Sequence, residues 1–420
     1  MPLLSVADAL SLIVREVSPL AVERVPLMEA LGRTLAEDVV SSIDSPPFDK
    51  ALMDGYAVRS ADLAVEGWVS LRVIEEVTAG RVPTRALEPG TATRIMTGAP
   101  IPEGCDAVVV IERTTFDEAT QRMSTDMRLK PGSNVLRRAA SVAVGQRVLP
   151  AGRVLRAQEL GGLAELGVSQ VPVRRRPRVA VLATGDELVA VEATPGPGQI
   201  RNSNETMLCG QIVQAGGIPV PLGVAKDERD ELRAKIQQGL AADVLLLTGG
   251  VSAGKLDLVP SELEAAGVRQ VFHKVEVKPG KPVWFGVRER GEEGQGTQGA
   301  PSRTLGANNC FVFGLPGNPV SSLVCFELFA RTALRRLMGV EPAEPQPVRA
   351  RLEQPHVARG DRPTYHPARL SWSETGPTVR TVRWHGSSDL CGTLEANAMA
   401  LFPAGDADYA SGSVVDVFLW

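Results

Sequence analysis

The sequence has little of what binds transition metals. It contains 5 cysteines and 4 histidines in 420 residues. Cys105, Cys209, Cys310, Cys325 and Cys391 are odd in number, widely spaced and form no C-x-x-C pair. That excludes a disulfide framework or a cysteine-rich zinc site and fits a reducing, cytoplasmic location. His273, His356, His366 and His385 show no H-E-x-x-H or other ligand spacing. Long apolar runs are missing, so no bilayer-spanning segment and no membrane partner are expected. Near the N-terminus, Asp8, Arg15 and Glu16 interrupt the apolar residues. There Val6, Leu10, Ile13, Val14 and Val17 read as one face of a surface helix, not as a signal peptide. An excess of one charge is also absent: 45 Lys+Arg against 49 Asp+Glu leave −4. A nucleic-acid partner is therefore not expected, and an anionic ligand would need a local basic site. With 44 % hydrophobic and 22 % charged residues, the chain is not a disordered one.

The length predicts roughly two to four domains. Residues 1–40 predict a helix, a loop and a second helix, and Ser45-Pro46-Pro47 ends any helix there. From 46 to 135 short β-runs alternate with Gly and Pro turns, the pattern of a small β-rich domain. Two Gly-turned segments follow over 136–173, and the basic stretch 173–178 reads as a solvated linker. The texture changes at 178. Strands are predicted at 178–183, 218–224, 243–248, 271–277, 283–287 and 311–314, with helices at 204–216, 227–240 and 321–338. This rhythm predicts a parallel sheet covered on both faces. The polar, Gly-rich segment 290–306 reads as a mobile loop, and 341–347 as a Pro-rich linker. The last part, 348–420, alternates like strands and predicts a small β-domain.

Open parallel sheets bind ligands beyond the carboxyl ends of their strands. Three segments fall there: Thr184-Gly185-Asp186-Glu187, the run from Thr248-Gly249-Gly250 to Gly254, and Gly314-Leu315-Pro316-Gly317-Asn318-Pro319. Glycine lets backbone N–H groups approach an anion closely, though each segment alone is also ordinary turn chemistry. Asp186, Glu187, Asp227 and Asp257 lie near these loops and suit Mg²⁺ shared with phosphate, or helix capping. Lys274 and Lys278 are an even number apart and predict one strand face. Pro279-Gly280 would turn Lys281 toward them, so three cations could meet an oxyanion; an exposed, lysine-bearing edge strand is the bland alternative. Residues 250–254 also fit G-x-S-x-G, which would make Ser252 a hydrolase nucleophile, but no HGGG-type oxyanion segment is present. A P-loop match at 249–255 fails at Leu256, where a hydroxyl should bind Mg²⁺.

Six segments occur in order: F-D-K-A-L-M-D-G-Y-A-V-R at 48–59, R-I-M-T-G-A-P at 94–100, T-G-D-E-L at 184–188, G-G-V-S-x-G at 249–254, K-P-G-K-P at 278–282 and L-P-G-N-P at 315–319. Over nearly the whole chain this set resembles the molybdenum insertase family, the molybdopterin molybdenumtransferases also called MoeA. T-G-D-E-L with G-G-V-S-x-G marks only the broader molybdopterin-binding fold. The segments around Asp54 and Thr97 single out the insertase. The resemblance implies a multidomain α/β plus β fold. An extended N-terminal dimerisation domain would comprise 1–45 with 136–175, and a β-rich domain would be inserted at 46–135. A three-layer α/β molybdopterin-binding catalytic domain would span 176–340, and a β-barrel domain 345–420. It implies a homodimeric transferase that inserts molybdate into adenylylated molybdopterin, with Mg²⁺ and release of AMP. A molybdopterin adenylyltransferase is the candidate protein partner. The substrate's own sulfurs would hold molybdenum, so few protein thiols are needed.

Carried over by position, Asp54, Thr97, Glu187, Asp257 and Lys278 would be catalytic, and Asp186 and Asp257 would hold Mg²⁺. Substrate contacts would come from Thr184, Gly185, Asn204, Asp227, Gly249, Gly250 and Ser252. Lys274, Lys281, Pro316, Gly317, Asn318, Pro319 and Ser321 would complete that set. Three features depart from the family pattern. Ala139-Ala140-Ser141 stand where many members carry an acid, Lys255 replaces a common acid, and 290–306 is long. A non-catalytic molybdopterin-binding scaffold is the alternative reading, and a hydrolase using Ser252 the other.

Overall fold

The computed structural model describes residues 3–250, 258–289 and 309–420. Contacts divide the chain into two units, Met1–Ala36 with Gly152–Ala157 and Gln170–Trp420, and Glu37–Ala151 with Gln158–Ser169. The first unit is built on a six-stranded sheet. Its strands are β1 (Arg178–Thr184), β2 (Ile218–Ala225), β3 (Val244–Thr248), β4 (Arg269–His273), β5 (Trp284–Arg288) and β6 (Cys310–Leu315), in the order β2-β1-β3-β6-β5-β4. β2, β1, β3 and β6 are parallel, and β5 runs antiparallel to both neighbours.

Strand alternation explains why both faces need cover. Val179 and Val181 of β1, Val244 and Leu246 of β3, and Phe311 and Phe313 of β6 enter one core. Ala180 and Leu182, Leu245 and Leu247, and Cys310 and Val312 enter the other. A strand buried on both faces reads as a continuous apolar run, as this sequence does. The first face is covered by α1 (Val6–Glu16) through Ala9 and Ile13, and by α2 (Ser203–Gln214) through Leu208 and Ile212. The second is covered by α3 (Arg229–Gly239) through Leu232 and Ile236, and by α4 (Val259–Ala265) through Leu263. Each fully buried aliphatic side chain contributes roughly 1.5–3 kcal/mol. The long helix expected near 321–338 is α5, Pro319–Cys325, which runs through a π turn at Phe326–Ala330 into Arg331–Leu337. At the π turn Gln211 Nε2 donates to the buried Glu327 carboxylate at 2.7 Å. A closed five-stranded barrel follows, formed by Val348–Leu352, Thr364–Ser373, Gly376–Thr381, Ala398–Phe402 and Val414–Leu419.

Two expectations are corrected here. Among the described residues there is no second α-helix before residue 40. Val22–Pro26 is a strand paired antiparallel with Gln170–Arg174, and only a 3-10 turn, Leu27–Ala30, follows it. A partner so distant in sequence leaves no local trace. The basic stretch is not a solvated linker either. Arg175 holds Asp243 with two hydrogen bonds of 2.8 and 2.7 Å, and Arg174 donates to Leu20 O at 2.9 Å.

The second unit carries its own six-stranded sheet, ordered Ala107–Val110, Gly55–Val58, Thr91–Ile95, Val69–Val77, Arg122–Thr125, Thr115–Asp117. Ala57, Ile95 and Val108 pack on one side, and Tyr56, Val109 and Met123 on the other. Within this unit Asp49 accepts from Arg137 Nη1 at 2.6 Å and from Arg138 N at 2.7 Å, which ties 48–59 to the arginine pair.

Candidate functional site

The register places Ala183 beside Thr248 and Thr248 beside Leu315, so β1, β3 and β6 end together. The chain moves from β1 outward to β2 and then crosses to β3, which makes the β1/β3 edge the switch point where open sheets bind ligands. Gly249 has φ +96, and a Cβ there would stand 2.5 Å from Thr184 O, so only glycine fits between the two strand ends. Asn204, in the first turn of α2, donates from Nδ2 to Thr248 Oγ1 at 2.7 Å and to Gly317 O at 2.8 Å. One amide thus ties the end of β3 to the L-P-G-N-P loop. Thr248 Oγ1 and Ser322 Oγ both donate to Pro316 O from beneath. Two acceptors are left over: Asn204 Oδ1 and Thr184 Oγ1 are buried and make no hydrogen bond. Buried polar groups without partners mark a place where a ligand can supply them. Nearby, Asp186 Oδ1 accepts from Asp227 N at 3.2 Å, and the Glu187 carboxyl folds over Gly185. Gly250 also has positive φ, at +61. Ser252 and Asp257 lie outside the described residues.

The lysines are arranged differently from the expectation. β4 ends at His273, and Lys274 has φ +70 with its N–H donating to Val283 O at 2.9 Å. Lys274 and Lys278 therefore do not share a strand face, because the strand does not continue through them. Lys278 and Lys281 instead line a cavity of about 450 Å³ with Pro316, Asn318 and Ser321. The barrel supplies the opposite wall: Arg362, Trp384, Gly386 and Ser387. Lys278 is fixed by its backbone, which donates to Pro363 O at 2.9 Å and accepts from Tyr365 N at 2.8 Å. Behind it, Gly280 has φ +122, and a Cβ there would overlap Cys325 Sγ. Burial pushes the Cys325 thiol well up, so this sulfur is packing and not a nucleophile.

Among the described residues three cations line the cavity and no carboxylate does. Arg362 pairs with the neighbouring Asp361 at 3.1 Å, and this holds the Asp361 carboxyl below its usual range. Among the described residues neither Lys278 nor Lys281 makes an ion pair. Asn318 Nδ2 donates to Ser387 Oγ at 2.9 Å, and Val320 N to Ser387 O at 3.0 Å. Arg362, Trp384, Gly386 and Ser387 were not expected from the sequence. Their only local signals are turn clusters, G-D-R-P at 360–363 and H-G-S-S at 385–388.

In the second unit Asp54 and Thr97 come together. Thr97 donates from both N and Oγ1 to Asp54 Oδ1, each at 2.7 Å. The backbone bond and then the hydroxyl bond hold the Asp54 carboxyl below its usual value.

Fold and site together define an α/β protein with a cation-lined cavity beside its strand-end loops. Comparison with known proteins then gives its family. The family model described as MoeA N-terminal region (domain I and II) matches residues 4–167, that of a probable molybdopterin binding domain 180–336, and MoeA C-terminal region (domain IV) 349–420. A molybdopterin molybdenumtransferase of Nostoc sp. is 36 % identical over 99 % of this chain and 93 % of its own length. One from Bacillus subtilis is 34 % identical over 94 % of this chain and 89 % of its own. The crystal structure of a molybdopterin biosynthesis moeA protein from Pyrococcus horikoshii OT3 covers 100 % of both chains at TM-score 0.82 and 30 % identity. The chain belongs to the MoeA family of molybdopterin molybdenumtransferases.

Proposed function

We propose that the chain inserts molybdate into adenylylated molybdopterin and releases AMP, a step of molybdenum cofactor biosynthesis. The observation that carries this reading is the L-P-G-N-P loop. On one side Gly317 O meets Asn204 at the strand-end crevice, and on the other Asn318 and Ser321 line the cationic cavity. One loop thus borders a crevice with unfilled acceptors and a pocket for a tetrahedral anion.

In this reading Lys278, Lys281 and Arg362 offset the charge of molybdate or phosphate, and Asn318 and Ser321 orient it. Trp384 and the prolines of the wall supply the apolar part of the lining. Thr184 Oγ1 and Asn204 Oδ1 take hydrogen bonds from the organic substrate. Gly185, Gly249 and Gly250 bring backbone close to its phosphates, and Lys274 and Asp227 are further proposed substrate contacts. Asp54, kept ionised by Thr97, is a further acceptor. Among the described residues no cluster of three or more His, Cys, Asp or Glu could cage a metal. Mg²⁺ takes one or two carboxylates and completes its shell with phosphate and water. Asp186 and Asp257 would hold it, and it would screen the phosphoanhydride charge when bound. We further read the chain as a cytoplasmic homodimer of four parts, divided as the resemblance implies, that receives its substrate from a molybdopterin adenylyltransferase.

The test is AMP release by the purified full chain from adenylylated molybdopterin, with and without molybdate and Mg²⁺. Release that requires both supports the reading. Substrate binding without molybdate-dependent AMP release would establish the scaffold reading instead.

A further inference from the structure

His366 stands directly behind the cavity wall. It lies on the barrel strand Thr364–Ser373, two residues beyond Thr364, which bridges to Lys278. Its ring meets Trp384 edge to face, with centroids 5.3 Å apart, and Trp384 lines the cavity together with Lys278. Nδ1 lies 2.9 Å from Pro367 O. A carbonyl only accepts, so Nδ1 carries the hydrogen and Nε2 keeps the lone pair. A proton can add only at Nε2.

The groups around the ring decide whether it does. From the turn at 278–281 the Lys278 ammonium acts on it through space. From the strand His356–Ala358 it faces the His356 ring at 5.1 Å, which stays neutral because burial and His366 push it down to about 4. From the paired strand Ala398–Phe402 it meets Phe402 at 6.4 Å, and Trp384 completes the surround. Burial first, and then the Lys278 charge, hold His366 below the ordinary imidazole value.

We propose that His366 couples anion capture in the cavity to proton uptake. An oxyanion beside Lys278 offsets the charge that repels a proton from the ring, so the ring takes up a proton as the anion binds. Coupling is reciprocal, and the anion therefore binds more tightly as pH falls. This inference rests on the oxyanion reading of the cavity.

Sulfate is the probe, because it is tetrahedral and its charge is constant near neutral pH. Its binding to the full chain is followed by calorimetry in buffers of different ionisation heat. Affinity should rise by about two-fold between about pH 8 and about pH 6, with part of a proton taken up per sulfate. His366→Gln should bind as the unaltered protein does at the higher pH, show no rise, and take up no proton. His385→Gln should keep the uptake, since His385 pairs with Asp389 at 3.1 Å and not with the Trp384–His366 pair. In the unaltered protein, the nitrogen resonances of the His366 ring should titrate at higher pH with sulfate present, which covers a His366→Gln protein that does not fold. Sulfate binding that Lys278→Ala leaves unchanged overturns the oxyanion reading and this inference with it. Binding that needs Lys278 but brings no proton uptake, or uptake that persists in His366→Gln, overturns the inference alone.

Discussion

Asn318 donates from its side-chain amide to the Ser387 hydroxyl at 2.9 Å, which joins the loop after β6 to a loop of the barrel. Both residues line the cationic cavity, so this bond sets the distance between its two walls. A second bond, Val320 N to Ser387 O, is made by backbone and survives any substitution of the serine side chain. Ser387→Ala should therefore loosen the cavity without opening it. The lost hydrogen bond is worth about 0.5–1.5 kcal/mol, or up to about tenfold in the molybdate needed for half-maximal AMP release. Asn318→Ala combined with Ser387→Ala should cost little more than Asn318→Ala alone, because the serine hydroxyl acts through its bond to Asn318. Fully additive losses in a double-mutant cycle would show that the bond has no role in holding the anion.

Lys278, Lys281 and Arg362 carry the cavity's positive charge. Alanine at any of them should weaken the anion by roughly 1–3 kcal/mol, the worth of a charged hydrogen bond. The loss should appear as a raised molybdate requirement, and it should shrink as salt rises because the cavity is open to solvent. Lys274→Ala should raise the requirement less, since Lys274 does not line the cavity. Saturation curves ranked the other way would return the site to the edge of β4.

The parts of this site differ in how far the sequence exposes them. The strands at 178–184 and 244–248 are legible because burial on both faces demands an unbroken apolar run. The loops that follow are legible because positive φ at Gly249 and Gly250 demands glycine. The barrel's share was not. Arg362, Trp384 and Ser387 obey no spacing relative to Lys278, and only tertiary packing brings them to it. Lys274 was misplaced for a related reason. A period of two holds only while a strand lasts, and where β4 stops at His273 is decided by the turn that pairs Lys274 with Val283.

Gly280 offers a test of how tightly the lysine turn is packed. Its φ of +122 disfavours any side chain, and a Cβ would overlap Cys325 Sγ. Gly280→Ala should cost about 1–3 kcal/mol through overpacking, read as a fall in Tm, and should displace Lys278 and Lys281. Adding Cys325→Ala removes the overlapping sulfur but not the backbone strain. The pair should therefore recover part of the lost stability, and not all of it. A Gly280→Ala protein with unchanged Tm and unchanged molybdate requirement would mean that the turn can move freely, and so cannot fix the lysines.

His356 ties the stability of the barrel to pH. Its ring stacks on Phe402 at a centroid distance of 4.0 Å, and burial, then the neighbouring His366, push its pKa from 6.5 down to about 4. The unfolded chain keeps the ordinary value, so between 6.5 and about 4 the unfolded state binds more protons at this site than the folded state. Stability contributed by the neutral ring is fully present above 6.5 and is lost as pH falls toward about 4. Below that the ring is charged in both states and the slope ends. Tm should therefore fall with decreasing pH across this window, and His356→Gln should flatten that part of the profile. The glutamine cannot titrate, yet it fills similar space beside Phe402. Carboxylates held low in the folded state, such as Asp54 and Asp389, add a slope of the same sign but at lower pH, near and below the ordinary carboxylate value. The difference between the two Tm profiles should thus be confined to the range above about 4. Identical profiles for the two proteins would place His356 in water, and the stacked ring would have no hold on the barrel.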